Sequence, residues 1–176
     1  MTTGPLQTNF RQFALYNRWA NTQLYDASAK LSPEQLAQDR GGFFKSLLGT
    51  LNHLVVTDRL WMSRLEGNSP RGTKLDEILF TDMGALRGAR DAENKRIVDH
   101  VFALREDQFA APFAYETTSG AAQSQPLQQI LSHLFNHQTH HRGQAHDLLG
   151  QIAGQDKAPP LDLLIYQRFV APSDQP

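Results

Sequence analysis

Between Pro126 and Gly154 the chain holds Leu127, Ile130, Leu131, Leu134, Leu148, Leu149 and Ile152 on one side of a helical wheel, with no proline to interrupt them. That is the pattern of a long α-helix burying one stripe, and it predicts a helix over residues 126–153. Three further stretches have the same period. Residues 6–30 carry Leu6, Phe10, Phe13, Ala20 and Leu24 along one face. Residues 46–66 carry Leu47, Leu51, Leu54, Val55, Trp61 and Leu65 and stop at Gly67 and Asn68. Residues 82–105 carry Leu86, Ile97, Val101 and Leu104. Ser32 followed by Pro33 reads as a cap and first turn opening a short helix, and Gly41-Gly42 breaks the pattern after it. The expected class is all-α, a four-helix bundle forming a single domain over residues 1–176. Residues 106–125, with Pro112 and Ser119-Gly120, are expected to be a long loop before the last bundle helix, placed to act as a lid or rim. The tail from Pro159 carries LDLLIYQRF, expected to be a short C-terminal docking segment.

Composition excludes several kinds of chemistry. There is no cysteine, so a disulfide framework, a thiolate metal site and a cysteine nucleophile are all absent. Seventeen basic residues stand against 18 acidic ones without a basic block, which argues against a nucleic-acid surface. The start MTTGPLQTNFRQ lacks an apolar signal region, and no apolar run is long enough to span a membrane. A soluble cytoplasmic protein is the expectation.

Four of the seven histidines, His133, His137, His140 and His141, crowd into HLFNHQTHHRGQ at 133–144. At about 100° per residue, His141 falls within about 30° of the apolar direction of its helix and His137 within about 70°. His133 and His140 lie on the flank, and His146 lies roughly opposite them. The inward pair is spaced i, i+4, which puts two imidazoles one turn apart on one face, able to converge on one metal ion. A third ligand must come from another helix, and periodicity leaves it open between His53 on the second long helix and His100 on the third. Gln138 stands where a zinc-protease HExxH helix would place glutamate, and no Glu is followed by His three residues later. No P-loop, GxGxxG or GxSxG occurs. A three-histidine site with an open position remains, suited to zinc, nickel, iron or copper.

Other polar residues fall where they need partners. Asn17, between Phe13 and Ala20 on an apolar face, either bonds a neighbouring helix or lines a pocket. Gln144 is placed to orient a ligand, and His133 to act as its hydrogen-bonding neighbour. Arg142 is expected in an ion pair, with Asp58 or across a dimer contact, and Trp19 and Trp61 in packing.

YNRWAN at 16–21, LNHLVVTDRLW at 51–61, HLFNHQTHHRGQ at 133–144 and DLLIYQR at 162–168 together resemble the DinB-like family of metal-binding four-helix proteins, over roughly residues 8–168. The resemblance implies a divalent metal held by one histidine of the second long helix and two of the fourth, matching His53, His137 and His141. It also implies a homodimer, and relatives that are thiol-dependent transferases or isomerases using a low-molecular-weight thiol. The expected function is therefore a metal-dependent enzyme, with zinc, nickel or iron, transferring a low-molecular-weight thiol to a small electrophilic substrate. The alternatives are a metal-dependent hydrolase, and a non-catalytic protein whose metal only staples the bundle.

Overall fold

The computed structural model describes residues 3–171; residues 1–2 and 172–176, the ends of the expected 1–176 domain, lie outside the described residues. The chain is mostly helical: α1 (Pro5–Ser28), α2 (Pro33–Ala37), α3 (Leu47–Leu65), α4 (Met83–Ala103), α5 (Glu106–Phe109), β1 (Pro112–Glu116), β2 (Ala122–Pro126), α6 (Leu127–Ala153) and α7 (Leu163–Ile165). A 3₁₀ turn (Gln155–Lys157) follows α6, and α7 widens into a π-type turn (Tyr166–Val170).

Helix boundaries follow from side-chain chemistry. Ser46, Asp82 and Ser32 each accept a backbone N–H of the first turn they precede, from Gly49, Ala85 and Gln35. At α1 the cap is tertiary: the Glu106 carboxylate of α5 accepts the N–H groups of Leu6 (3.1 Å) and Gln7 (2.8 Å), setting negative charge against the helix start. Gly154, at φ +103°, ends α6 in a conformation that L side chains rarely adopt.

The four long helices pack in the cycle α1, α4, α3, α6, each against two of the others. Their apolar faces form two clusters. One gathers Phe10, Met62, Ile97, Phe109 and Ile130, and the other Leu24, Leu51, Leu54, Leu86 and Leu149. Between them, at mid-length on every long helix, lies a buried polar layer: Asn17 and Asn21 of α1, Asp58 of α3, Arg90 and Asn94 of α4, and Gln138 and Arg142 of α6. Arg90 pairs with Asp58 at 2.7 Å, Gln138 donates to Asp58 at 2.6 Å, and Asn21 donates to Asn94 at 3.0 Å. The expected Arg142–Asp58 ion pair is therefore replaced. Arg90 holds Asp58, while Arg142 donates to the Oδ1 atoms of Asn17 and Asn21 and lies over the Tyr16 ring.

The expected long loop at 106–125 is mostly ordered structure. It holds α5 and an antiparallel hairpin whose register runs from Pro112 opposite Pro126 to Glu116 opposite Ala122. Phe113 and Tyr115 alternate as strand residues do, but AQSQP on β2 is polar and gives no period, and its pairing is carried by the backbone. The tail docks as expected. Tyr166 is buried against Tyr16 and Trp19, and Tyr16 donates its hydroxyl to the Leu161 carbonyl at 2.7 Å. Among the described residues no helix is long and apolar enough to cross a membrane.

Candidate metal centre

α3 and α6 pack together and bring His53, His137 and His141 to one point: one ring nitrogen from each lies within 4.8 Å of the other two. The Nε2 atoms of His53 and His137 are 3.3 Å apart. Two nitrogens sharing a tetrahedral ion at 2.0–2.1 Å would be separated by about 3.3–3.4 Å.

Second contacts orient the rings. His53 donates Nδ1–H to the Leu75 carbonyl at 2.7 Å, so its Nε2 lone pair faces the cluster. His141 donates Nδ1–H to Gln144 Oε1 at 2.7 Å, with the same consequence, and the Gln144 amide in turn reaches His140 Nε2 at 3.4 Å. Phe44 stacks on the His53 ring with centroids 3.9 Å apart and meets the His141 ring edge-on at 5.4 Å.

Glycine at position 49 makes that stacking possible. A Cβ there would sit 2.1 Å from the Phe44 carbonyl oxygen, so the 40–45 turn presses directly onto α3. Gly49→Ala is expected to push the turn away, costing about 1–3 kcal/mol. For a chain of this length that lowers Tm by roughly 3–10 °C. Thermal unfolding checks it, and an unchanged Tm would contradict the close approach.

Burial shapes the protonation of the triad. Desolvation, then the neighbouring histidines, push His137 down to about 3. Desolvation also lowers His53 and His141, against the opposing hydrogen bonds from Leu75 and Gln144. All three rings are neutral at pH 7, the state that binds metal. The linkage has a definite sign. The unfolded chain takes up these protons near pH 6.5, before the folded chain does, so metal-free protein keeps this stability above about pH 6.5 and loses it as pH falls. Each histidine contributes at most about 1.4 kcal/mol per pH unit, less where the ring is partly open to solvent. Tm of metal-free protein is expected to fall between pH 7.5 and 5.5, and to fall less in His137→Phe. Parallel curves for the two proteins would exclude His137 as a source.

The other histidines lie outside this group. His100, the alternative third ligand, is half-buried near Glu66 at the end of α4. His133 packs edge-on against Trp61, its ring 5.7 Å from that of His137, and His140 is exposed beside His141. Asn17 bonds Arg142 on the opposite side of α6 and does not line the histidine pocket.

The open side of the triad faces a cavity of about 680 Å³ walled by Phe43, Phe44, Leu75 and Asp76. The hairpin supplies none of this wall, contrary to the lid expected from residues 106–125. It acts at one remove, tying down the segment that carries Leu75: Glu116 accepts Arg71 Nη2 at 2.6 Å, and Gly72 N–H donates to Thr118 at 3.1 Å. Sequence reasoning misses these wall residues. Leu75 acts through its carbonyl and leaves no side-chain signal. The adjacent aromatics after Gly41-Gly42 are the available clue to Phe43 and Phe44.

Fold and site together define a mostly helical protein with three histidines that can hold one metal ion. The DinB family model matches residues 5–172, and the chain belongs to the DinB family. It is 25% identical over 154 residues to Protein DinB of Bacillus subtilis (strain 168), covering 82% of this chain and 86% of that protein. The crystal structure of a DinB-like protein from Bacillus cereus ATCC 10987 superposes with a TM-score of 0.64 at 21% identity, over 82% of this chain and 91% of that one.

Proposed function

We propose that the chain is a four-helix-bundle metalloenzyme in which His53, His137 and His141 hold a divalent transition metal, zinc or nickel before iron, and which transfers a low-molecular-weight thiol to a small electrophile. The observation that carries the reading is the convergence of three neutral imidazoles, two of them oriented by hydrogen bonds, beside a cavity, with no fourth ligand in that group among the described residues. A catalytic site keeps such a position open, whereas a structural one is closed by four protein ligands. When bound, the metal would supply Lewis-acid polarisation at that position and favour the deprotonated form of a thiol or water there.

The chain's own residues do the rest. The Leu75 carbonyl and Gln144 hold two imidazoles in the tautomer that presents Nε2. Phe43 and Phe44 give the pocket an aromatic wall that sheds water and suits an apolar acceptor. Asp76, the exposed carboxylate of that wall, would take the proton a thiol gives up. With no cysteine in the chain, the sulfur comes from a cosubstrate.

Cobalt-substituted protein is the direct test. Titration with bacillithiol, mycothiol or glutathione is expected to produce a saturable sulfur-to-cobalt charge-transfer band with one of them. A cobalt-loaded protein whose spectrum no thiol alters would end the transferase reading. Hydrolysis of model esters that is lost in His141→Ala would then favour water as the nucleophile.

A further inference from the structure

On the far side of α6 from the histidine triad, α1 and α6 enclose a groove of about 260 Å³. That is room for several waters, or one small organic molecule. Its walls are aromatic, from Phe10, Phe13 and Phe135. Two residues of the buried polar layer, Asn17 and Arg142, also line it. Arg142 lies five residues from His137, about 140° around the helix, so this groove is separate from the metal pocket.

Arg142 is only 2% exposed, yet no carboxylate pairs with it among the described residues. Its hydrogen-bonding neighbours are neutral oxygens, on Asn17, Asn21 (3.2 Å), Thr139 (3.3 Å) and Tyr16. The contrast within the same layer is sharp, because Arg90 has Asp58 at 2.7 Å. The carboxylate nearest in charge effect is that same Asp58, already engaged by Arg90. Burying a guanidinium without a counter-charge is unfavourable, because the lost hydration is not replaced by an opposite charge. A second donor is also unspent: the Asn17 Nδ2 group is buried with no hydrogen-bond partner.

We propose that this groove is a binding site for a small organic carboxylate with an aromatic body, its ring between the phenylalanines and its carboxylate on Arg142 and Asn17. An anion there supplies the charge that Arg142 lacks and accepts the free N–H of Asn17. Guanidinium and carboxylate match in a planar, charge-assisted pair. Aromatic walls beside a convergent polar floor are the general make-up of a small-molecule site. The site does not depend on the metal reading, since none of the three histidines lines it.

The probes are benzoate and its neutral isostere benzamide, titrated into the full-length protein as purified and followed by amide NMR. Benzoate is expected to bind saturably and shift the amides of Asn17, Thr139 and Arg142, with benzamide about 10–100-fold weaker for loss of one charged hydrogen-bonding group. Asn136 is an exposed residue of the groove rim. Asn136→Trp is expected to block the groove and abolish the shifts, with Tm and metal content unchanged. Arg142→Met, if folded, is expected to bind the two probes alike.

Equal affinity of wild type for both probes would overturn the proposal, as would benzoate binding that survives Asn136→Trp. So would shifts confined to His53, His137 and His141, which would place the anion at the histidines. Absence of any saturable shift would also overturn it. Sedimentation showing a second copy of the chain in the groove, with Asn136→Trp dissociating the dimer, would overturn it as well.

Discussion

Purified His137→Ala is expected to contain almost no transition metal, against about one ion per chain in the parent protein. The reason is geometric. His137 meets both other histidines, its Nε2 3.3 Å from that of His53 and its ring 4.4 Å from that of His141. Without it, two nitrogens remain on different helices, too few to hold a divalent ion against water. Loss of a residue that merely orients a ligand weakens metal affinity about 10–100-fold, so loss of a ligand should exceed that. His53→Ala should behave the same way, and Gln144→Leu should fall in the 10–100-fold range because His141 loses its orienting acceptor. His100→Ala should retain the ion. Elemental mass spectrometry on tag-free protein, with chelator competition for affinity, reads all four. A parent protein without metal after reconstitution with zinc and nickel would remove the metal site altogether.

The second large effect concerns the fold. Asp58→Ala is expected to destabilise the protein by about 3–5 kcal/mol, because it leaves Arg90 as a fully buried cation with no counter-ion. At this chain length that is a fall in Tm of roughly 6–20 °C. Gln138 would lose its acceptor at the same time. The double variant Asp58→Leu, Arg90→Met should recover most of the loss, since replacing a whole buried pair by apolar side chains of similar volume is often neutral. Denaturant unfolding of the single and double variants decides it. A loss below about 1 kcal/mol for Asp58→Ala, the range of an exposed pair, would mean that water reaches this layer.

These two effects come from neighbouring turns of the same helices. His53 and Asp58 are five residues apart on α3, and His137 and Gln138 are adjacent on α6. One face of each helix therefore presents the triad while the neighbouring face is fastened by buried hydrogen bonds. Gln138 bonds both the Leu54 carbonyl (3.2 Å) and Asp58, cross-linking α6 to α3 one residue from a candidate ligand. That rigidity suits a metal site, whose donors must be held in place before the ion arrives.

Local chemistry is legible where one segment carries it alone. The four long helices can be placed within a few residues, because caps such as Ser46 and Asp82 and the terminator Gly154 act on their own turn of chain. The inward direction of His137 and His141 can be read on the same basis, since a wheel needs only the helix itself. Periodicity stops at the third nitrogen. Choosing between His53 and His100 depends on which helix faces α6 at that height, and residue spacing within a helix carries no such information. The resemblance to the family supplies the choice, and the packing of α3 on α6 places His53 in the group with His137 and His141.

The expectations that failed share that origin. Arg142 and Asp58 look like partners in the sequence because they carry opposite charge, but the α4–α3 contact gives Asp58 to Arg90 first. Residues 106–125 look like a lid because β2 lacks any pattern of its own. Its strand exists only through β1, and the pocket wall is built instead by the turn at Phe43 and Phe44 and by the segment at Leu75 and Asp76. The sequence by itself determined the helices, their buried faces, the absence of thiol chemistry in the chain and the inward histidine pair, because each follows from covalent spacing and side-chain type. Only the tertiary structure decided the third histidine of the group, the partners of the buried charges and the walls of both cavities. Each of those is a meeting of groups distant in the chain, fixed by which helix faces bury the most apolar surface together.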